Sequence, residues 1–176
     1  NITLVAEWTI TKIMATTSST IIDEVAVILD FSSLSSGTNM NGKIFTFGQN
    51  VDHITIKGAK SLKNLGFYIP QYSKDYVDIN LDNSVFTAPE GRNGIYAPGH
   101  EVRLYCINDS TITGGTRLIN IIDFKGSNES FEDCASAIMA ATLIIKGNTG
   151  KTLKLIGGNG KDGADGINGK NQTTTY

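Results

Sequence analysis

The sequence has few charged residues and no cluster of basic ones. Asp, Glu, Lys and Arg make up 18% of its 176 residues, and the formal net charge is −2. That fraction is low for a cytosolic enzyme, and without a basic block the chain lacks the footprint of a nucleic-acid-binding protein. The longest nearly apolar run, residues 135–145, is about half of the ~20 residues that a membrane-spanning helix needs. We therefore expect no nucleic acid as a partner and no membrane span.

Histidine and cysteine are scarce, with two of each. His53 and His100 have no metal-ligand spacing to the cysteines, so we predict no metal site and no cofactor. The sequence has no GxSxG motif, and neither histidine lies in a recognisable triad context. These absences predict a protein that is not an enzyme.

The chain begins at Asn1-Ile2-Thr3, with no initiator Met and no charged-then-apolar leader. We expect a processed mature protein or an excised piece. Four N-x-[ST] sequons fit export and predict attached N-glycans, although one or two arise by chance in a chain rich in Asn and Thr. We expect an extracellular or cell-surface location. The sequon asparagines are Asn1, Asn108, Asn128 and Asn171.

The two cysteines, Cys106 and Cys134, fit the same location. In an exported protein an even pair most simply forms one disulfide. Closing its loop of about 29 residues would stabilise the fold by roughly 3–4 kcal/mol in the chain-entropy model. The alternative is two buried free thiols.

The first segment of the chain, residues 1–13, alternates as a long amphipathic strand. An amphipathic strand at a terminus is suited to strand addition to another copy, and such head-to-tail contacts generate filaments. The alternative is pairing within its own subunit. The residues of this predicted self-assembly strand are Ile2, Leu4, Ala6, Trp8 and Ile10.

The rest of the chain also has the pattern of β-structure, so the predicted fold class is all-β. Two short helical segments are predicted as exceptions, over residues 131–139 and within 58–67. We expect one β domain over residues 1–156 and a glycine-rich extended tail over 157–176. The further predicted strands are 24–31, 43–47, 51–58, 75–82, 101–107, 118–124, 141–147 and 151–158.

The strands end at recurring "IKG", "FKG" or "IGG" corners, which fits a parallel β-helix-like solenoid better than a β-sandwich with tight hairpins. "GIYAPGHEVRLYCINDSTITGG" (94–115) and "AIMAATLIIKGNTGKTLKLIGGNGKDGADG" (137–166) resemble rungs of secreted and cell-surface right-handed parallel β-helix proteins that carry a collagen-like G-x-y extension. The resemblance covers about the second half of the chain and implies a fold and an exterior location. The first half departs from it and is either a separate cap or a sandwich-like domain.

Glycine recurs at every third position from Gly157 to Gly169. The segment lacks the GxxxxGK[ST] pattern and cannot continue as a helix, so it is not a phosphate loop. A collagen-like stalk or a flexible linker remains open. The favoured interpretation is an extended segment that packs close to other backbone, since glycine has no Cβ to hold it away.

Two sets of side chains are candidates for contact with polysaccharide. Tyr68, Tyr72 and Tyr76 are spaced four apart and would bind sugar rings or cover the end of the β core. Asp78 and Asp82 lie on one face of a strand, where paired acids suit the acid/base work of a polysaccharide lyase or hydrolase. Such an enzyme also needs a second positioned acid or a basic residue that neutralises the sugar carboxylate, and Arg92 and Arg103 are the candidates for the latter. The alternative for the acids is an exposed strand face.

The sequence thus favours an extracellular glycosylated structural protein, a self-assembling subunit of a fibre or surface layer whose partners are copies of itself. A carbohydrate-binding adhesin module is the second hypothesis, and a β-helix polysaccharide lyase or hydrolase is the third.

Overall fold

The computed structural model of the protein describes residues 21–71, 75–116 and 135–158 in full, together with the backbone of residues 10–14. These residues form β-strands and no helix, so the predicted all-β class is confirmed. The strands are β1 (Ile10–Met14), β2 (Ala26–Asp30), β3 (Asn39–Thr46), β4 (His53–Lys57), β5 (Leu62–Tyr68), β6 (Tyr76–Asp82), β7 (Val85–Thr87), β8 (Ile95–Cys106), β9 (Ser110–Thr113), β10 (Ile138–Gly147) and β11 (Leu153–Ile156).

All strand pairs among the described residues are parallel, and they form three ladders. Ladder A runs β1–β2–β4–β6–β8–β10 and uses the second halves of β8 and β10. Ladder B runs β5–β7–β9–β11 and uses the first residues of β5. Ladder C runs β3–β5–β8–β10, through the second half of β5 and the first residues of β8 and β10. The chain visits ladders A, B and C in that order repeatedly.

Ladder A shows how the sequence repeat becomes a buried interior. His53, Asp78 and Arg103 are in register across β4, β6 and β8, 25 residues apart, and they lie on the outer face. The neighbouring register column of Ile54, Ile79 and Leu104 is buried, each side chain being 1% exposed. Alternation within each strand therefore sends one residue into the core and the next to solvent.

The core also contains a cluster of phenylalanines that links the ladders. Phe67 on β5 lies edge-on to Phe86 with ring centroids 5.2 Å apart, and it stacks on Phe45 at 5.8 Å. Phe31 completes the cluster at 5.8 Å from Phe45. Each buried ring stabilises the fold by roughly 1.5–3 kcal/mol from its area, and aromatic pairs add about 0.5–1.5 kcal/mol.

The helical segments predicted from the sequence are wrong over their described residues. Residues 62–67 belong to β5, and Ile138 and Met139 begin β10, while residues 131–134 lie outside the described part of the chain. In β5 the physical reason is Asn64, whose φ of 55° turns the chain between ladders B and C. The turn puts Leu62 and Leu65 on the same inner side three residues apart, which is also a helical spacing.

The parallel pairing differs from the antiparallel sheets of a β-sandwich, and the first half of the chain is not a separate sheet. Strands β2 and β4 continue the same ladder as β6 and β8. The strand predicted at 118–124 lies outside the described residues. No helix in the described part of the chain is long and apolar enough to cross a membrane.

The glycine-rich tail is described only at its first two residues. Gly157 has open space around its Cβ position, whereas a Cβ on Gly158 would collide with the carbonyl of Gly115. The amide of Gly158 also donates to the Ala135 carbonyl at 2.6 Å. Gly158 thus packs against backbone, while residues 159–176 lie outside the described part, so the packing of the tail stays a prediction.

Candidate functional site

The last strand of ladder A carries core-type residues that are not covered. Leu143 and Ile145 on β10 are in register with Val102 and Leu104 of β8, which are 0% and 1% exposed. Leu143 and Ile145 are themselves 37% and 50% exposed. Their positions continue the interior column of the ladder, so their exposure marks the place where the core stops being covered.

Ladder B ends in the same way. Leu153 and Leu155 on β11 are in register with Ser110 and Ile112, which are buried, yet both leucines are only half-buried. We call Leu143, Ile145, Leu153 and Leu155 the end surface. Within the described residues, β10 pairs only with β8 and β11 only with β9, so each of the two strands has one edge without a described partner.

The opposite end of ladder A is β1, the described part of the predicted self-assembly strand. Ile10 is in register with Ala26 of the same chain, and β1 pairs with β2 along its length. This part of the strand therefore pairs within its own subunit. Its other edge has no partner among the described residues. The remaining predicted residues, Ile2, Leu4, Ala6 and Trp8, lie outside the described part.

The predicted acidic residues lie on the outer face of ladder A. Asp78 pairs with His53, with Nδ1 and Oδ2 3.2 Å apart, and Asp82 accepts a hydrogen bond from Nδ2 of Asn108 at 2.7 Å. Asp78 and Asp82 are four positions apart on one strand, about 13 Å at 3.3 Å per residue. That exceeds the roughly 5–9.5 Å between the carboxyl pairs of glycoside hydrolases.

The two arginines named with these acids lie in different places. Arg103 sits beside Asp78 in the register, and its Nε donates to Glu101 at 2.7 Å. The hydrogen bond from Arg103 to Glu101 is the main reason that the pKa of Arg103 lies above its usual value. Its guanidinium carbon also lies 3.8 Å from the ring centroid of Tyr76. Arg92 lies in the loop before β8, so the structure does not bring it to Asp78 or Asp82.

The structure separates the tyrosines that the sequence grouped. Tyr68 is on ladder C and Tyr76 on ladder A, because the chain turns a corner between β5 and β6. Tyr72 lies outside the described residues. Instead Tyr68 stacks on Tyr96 of the next rung, with ring centroids 5.5 Å apart. Grouping the tyrosines by their spacing of four residues missed this pair, whose members are 28 positions apart in the sequence and in register across β5 and β8.

The sequons and cysteines that suggested export lie partly inside and partly outside the described residues. Asn108 is half-buried with its amide nitrogen on Asp82, and Ser110 of the same sequon is 3% exposed. Cys106 is buried and forms no disulfide within the described residues, while Cys134 lies outside them, so the disulfide stays a prediction. The other three sequon asparagines, Asn1, Asn128 and Asn171, are also outside.

The described residues contain no group of three or more His, Cys, Asp or Glu side chains that could hold a metal ion. His100 is buried, with Nε2 2.7 Å from the carbonyl of Pro70. The chain matches no protein-family model, no curated protein and no solved structure.

Proposed function

We propose that the chain is an extracellular structural protein, built as a right-handed parallel β-helix, whose copies assemble by stacking coil on coil. The repeated passage through ladders A, B and C supports the β-helix, since each coil of a solenoid contacts only its neighbours. Its right-handedness follows from the strong preference of parallel crossover connections. The sequons and the resemblance to secreted β-helix proteins support the location.

The exposure of Leu143 and Ile145 is the observation that carries the proposal for assembly. The end surface continues the core of the molecule, and another coil laid on it would cover these side chains. A parallel strand added at the edge of β10 would gain backbone hydrogen bonds, each worth about 1 kcal/mol net, and bury apolar area at about 25 cal/mol per Å².

The proposed occupant is the β1 end of a second copy. Among the described strands, ladder A runs from β1 to β10, so a copy placed in the same orientation continues the ladder as a parallel strand. The two contact surfaces differ, and a contact that repeats by translation along the direction of the ladder does not close into a ring. Filaments are the expected product.

A pair of adjacent substitutions on β10 tests the proposal. Ile145→Lys places a charge in the column that a stacked coil would bury, whereas Ile144→Lys places it on the outer face beside Arg103. Ile144 is 37% exposed and belongs to the same strand, so it is a matched control. By electron microscopy and sedimentation, we expect filaments from the wild type and from Ile144→Lys, and monomers from Ile145→Lys.

A wild type that is a monodisperse monomer would contradict the proposal, and so would assembly of Ile145→Lys equal to that of Ile144→Lys. Deletion of residues 1–13 removes most of β1 and should also abolish filaments. Filaments that persist after this deletion would rule out β1 as the contacting strand.

A carbohydrate-binding adhesin module is the second candidate, favoured by the stacked Tyr68 and Tyr96 on the outer face of ladder C. A glycan array that shows no binding by the wild type would remove it. The lyase or hydrolase hypothesis requires a measurable activity that Asp78→Asn loses. The distance between Asp78 and Asp82 does not support their acting together as a catalytic acid pair.

A further inference from the structure

A cavity of about 330 Å³ opens on the outer face of ladder C, within the range of ligand pockets. Gly66 lines the cavity and is in register with Ile44 on β3. A Cβ built on Gly66 would make ordinary contacts at 3.6 Å with the Asn93 carbonyl and with Ile44. The position thus has room for a side chain and carries none, which leaves the recess open.

Tyr68 and Tyr96 form one wall of the cavity. Their rings stack with an interplanar angle of 20°, so each covers one face of the other. Along the ladder, Thr46 is the register neighbour of Tyr68 on the other side, and Met139 is that of Tyr96. The ring faces are therefore stacked on each other or flanked along the ladder, which leaves less open face for a flat ligand than two separate tyrosines would.

Arg92 supplies the charge of the cavity lining. It is the one charged residue in the lining, and its exposed guanidinium has no hydrogen-bond or ion-pair partner within the described residues. Its backbone is fixed at both ends: its amide donates to the Pro89 carbonyl and its carbonyl accepts from the Gly115 amide, each at 3.0 Å. The arginine is therefore held at the cavity by a rigid turn and is available to an anion.

We infer that this cavity binds a single sugar residue that carries a carboxylate, as a uronic acid does. Arg92 pairs with the carboxylate, and the hydroxyl group of Tyr68 hydrogen-bonds to a sugar hydroxyl. A flat aromatic carboxylate fits less well, since the tyrosine faces are stacked or flanked along the ladder. A neutral sugar leaves the guanidinium unpaired. This binding goes beyond the structural role and does not depend on assembly.

Titration with sodium glucuronate, followed by NMR shifts of the amides around Gly66 and Tyr96, tests the inference. The titration is run on the full chain and on Ile145→Lys, so that the outcome is separate from that of the assembly experiment. We expect saturable binding of glucuronate. Glucose should bind at least about tenfold more weakly, because one charge-assisted hydrogen bond is worth about 1.5–3 kcal/mol.

Three variants locate the site. Arg92→Gln should weaken glucuronate binding about tenfold, and Gly66→Leu should remove it by filling the recess. Arg103→Gln is the matched control on ladder A and should bind as the wild type does. Thermal unfolding checks that each variant is folded. If Gly66→Leu does not fold, the smaller substitution Gly66→Ala takes its place.

Equal binding by the wild type and Arg92→Gln would overturn the inference, as would absence of glucuronate binding. Benzoate that binds more tightly than glucuronate would also overturn it, since the ligand would then be an aromatic carboxylate.

Discussion

The thiol of Cys106 links the stability of this fold to pH. The side chain is buried, and its Sγ donates to the carbonyl of Asn108 at 3.2 Å. Burial, and after it the carboxylate of Asp109, raises the pKa of the Cys106 thiol. An unfolded chain releases the thiol proton near its ordinary pKa of about 8.5, while the folded chain still holds it.

The direction of the pH effect follows from this difference. Below the unfolded pKa both states are protonated, and the contribution of Cys106 to stability is fully present. As pH rises from the unfolded towards the raised folded pKa, the unfolded state gains stability by ionising. The contribution is then lost by at most about 1.4 kcal/mol per pH unit.

We therefore expect the wild type to lose stability relative to Cys106→Ala as the pH is raised from 7 to 10. Urea unfolding of both proteins, with reductant present throughout, measures the difference in unfolding free energy at each pH. Both proteins share all the other titrating groups, so the difference between their unfolding free energies reports on Cys106 alone. A difference that stays constant across this range would show that the thiol ionises equally in both states.

Among the strands, the sequence predicts those that alternate strictly and misses those that bend. The alternation in residues 51–58 and 75–82 locates β4 and β6 to within two residues at each end. At β5, the left-handed Asn64 interrupts the alternation and imitates a helical spacing. The short strands β7 and β9 give too few residues for a period to be seen.

The candidate sites depend on neighbours that a linear pattern does not contain. Residues 141–147 alternate much as residues 75–82 do, yet Ile145 is half-exposed and Leu81 is buried, because no described strand covers β10. The tyrosine pair likewise arises between rungs. The sequence predicted Leu143 and Ile145 correctly as strand residues but placed neither Tyr68 nor Tyr96 in a strand, and it gave no means of telling which side chains the fold leaves exposed.

The segment that follows β9 gives a test of close backbone packing. A Cβ at Gly115 would collide with the Pro89 carbonyl and lie 3.2 Å from that of Arg92, whereas Gly157 has nothing within 4 Å. Gly115→Ala should therefore destabilise the fold by about 2 kcal/mol, since backbone must move, and Gly157→Ala should stay within about 0.5 kcal/mol of the wild type. Chemical denaturation measures both. Equal stabilities for the two variants would show that the backbone around Gly115 accommodates a Cβ without loss of stability.

On the scale of the whole molecule, the described strands form parallel ladders in which each strand pairs with its neighbours along the ladder. In ladder A each strand contacts the strand before and the strand after it, so an end strand has one stabilising neighbour where β6 has two. Stacked arrays of this kind lose their ends before their middle. Because the end surface is exposed, the stability of β10 and β11 depends most on whether another strand packs against them.

Hydrogen exchange distinguishes this stack from a uniformly cooperative domain. In monomeric Ile145→Lys, we expect the amides of β10 and β11 to exchange about 100-fold faster than those of β6, because end rungs open without global unfolding. In assembled wild type, a stacked coil covers the end surface, and protection of β10 should rise towards that of β6. Equal protection of all strands in the variant would mean that the rungs unfold together. Unchanged β10 protection on assembly would place the contact between copies elsewhere.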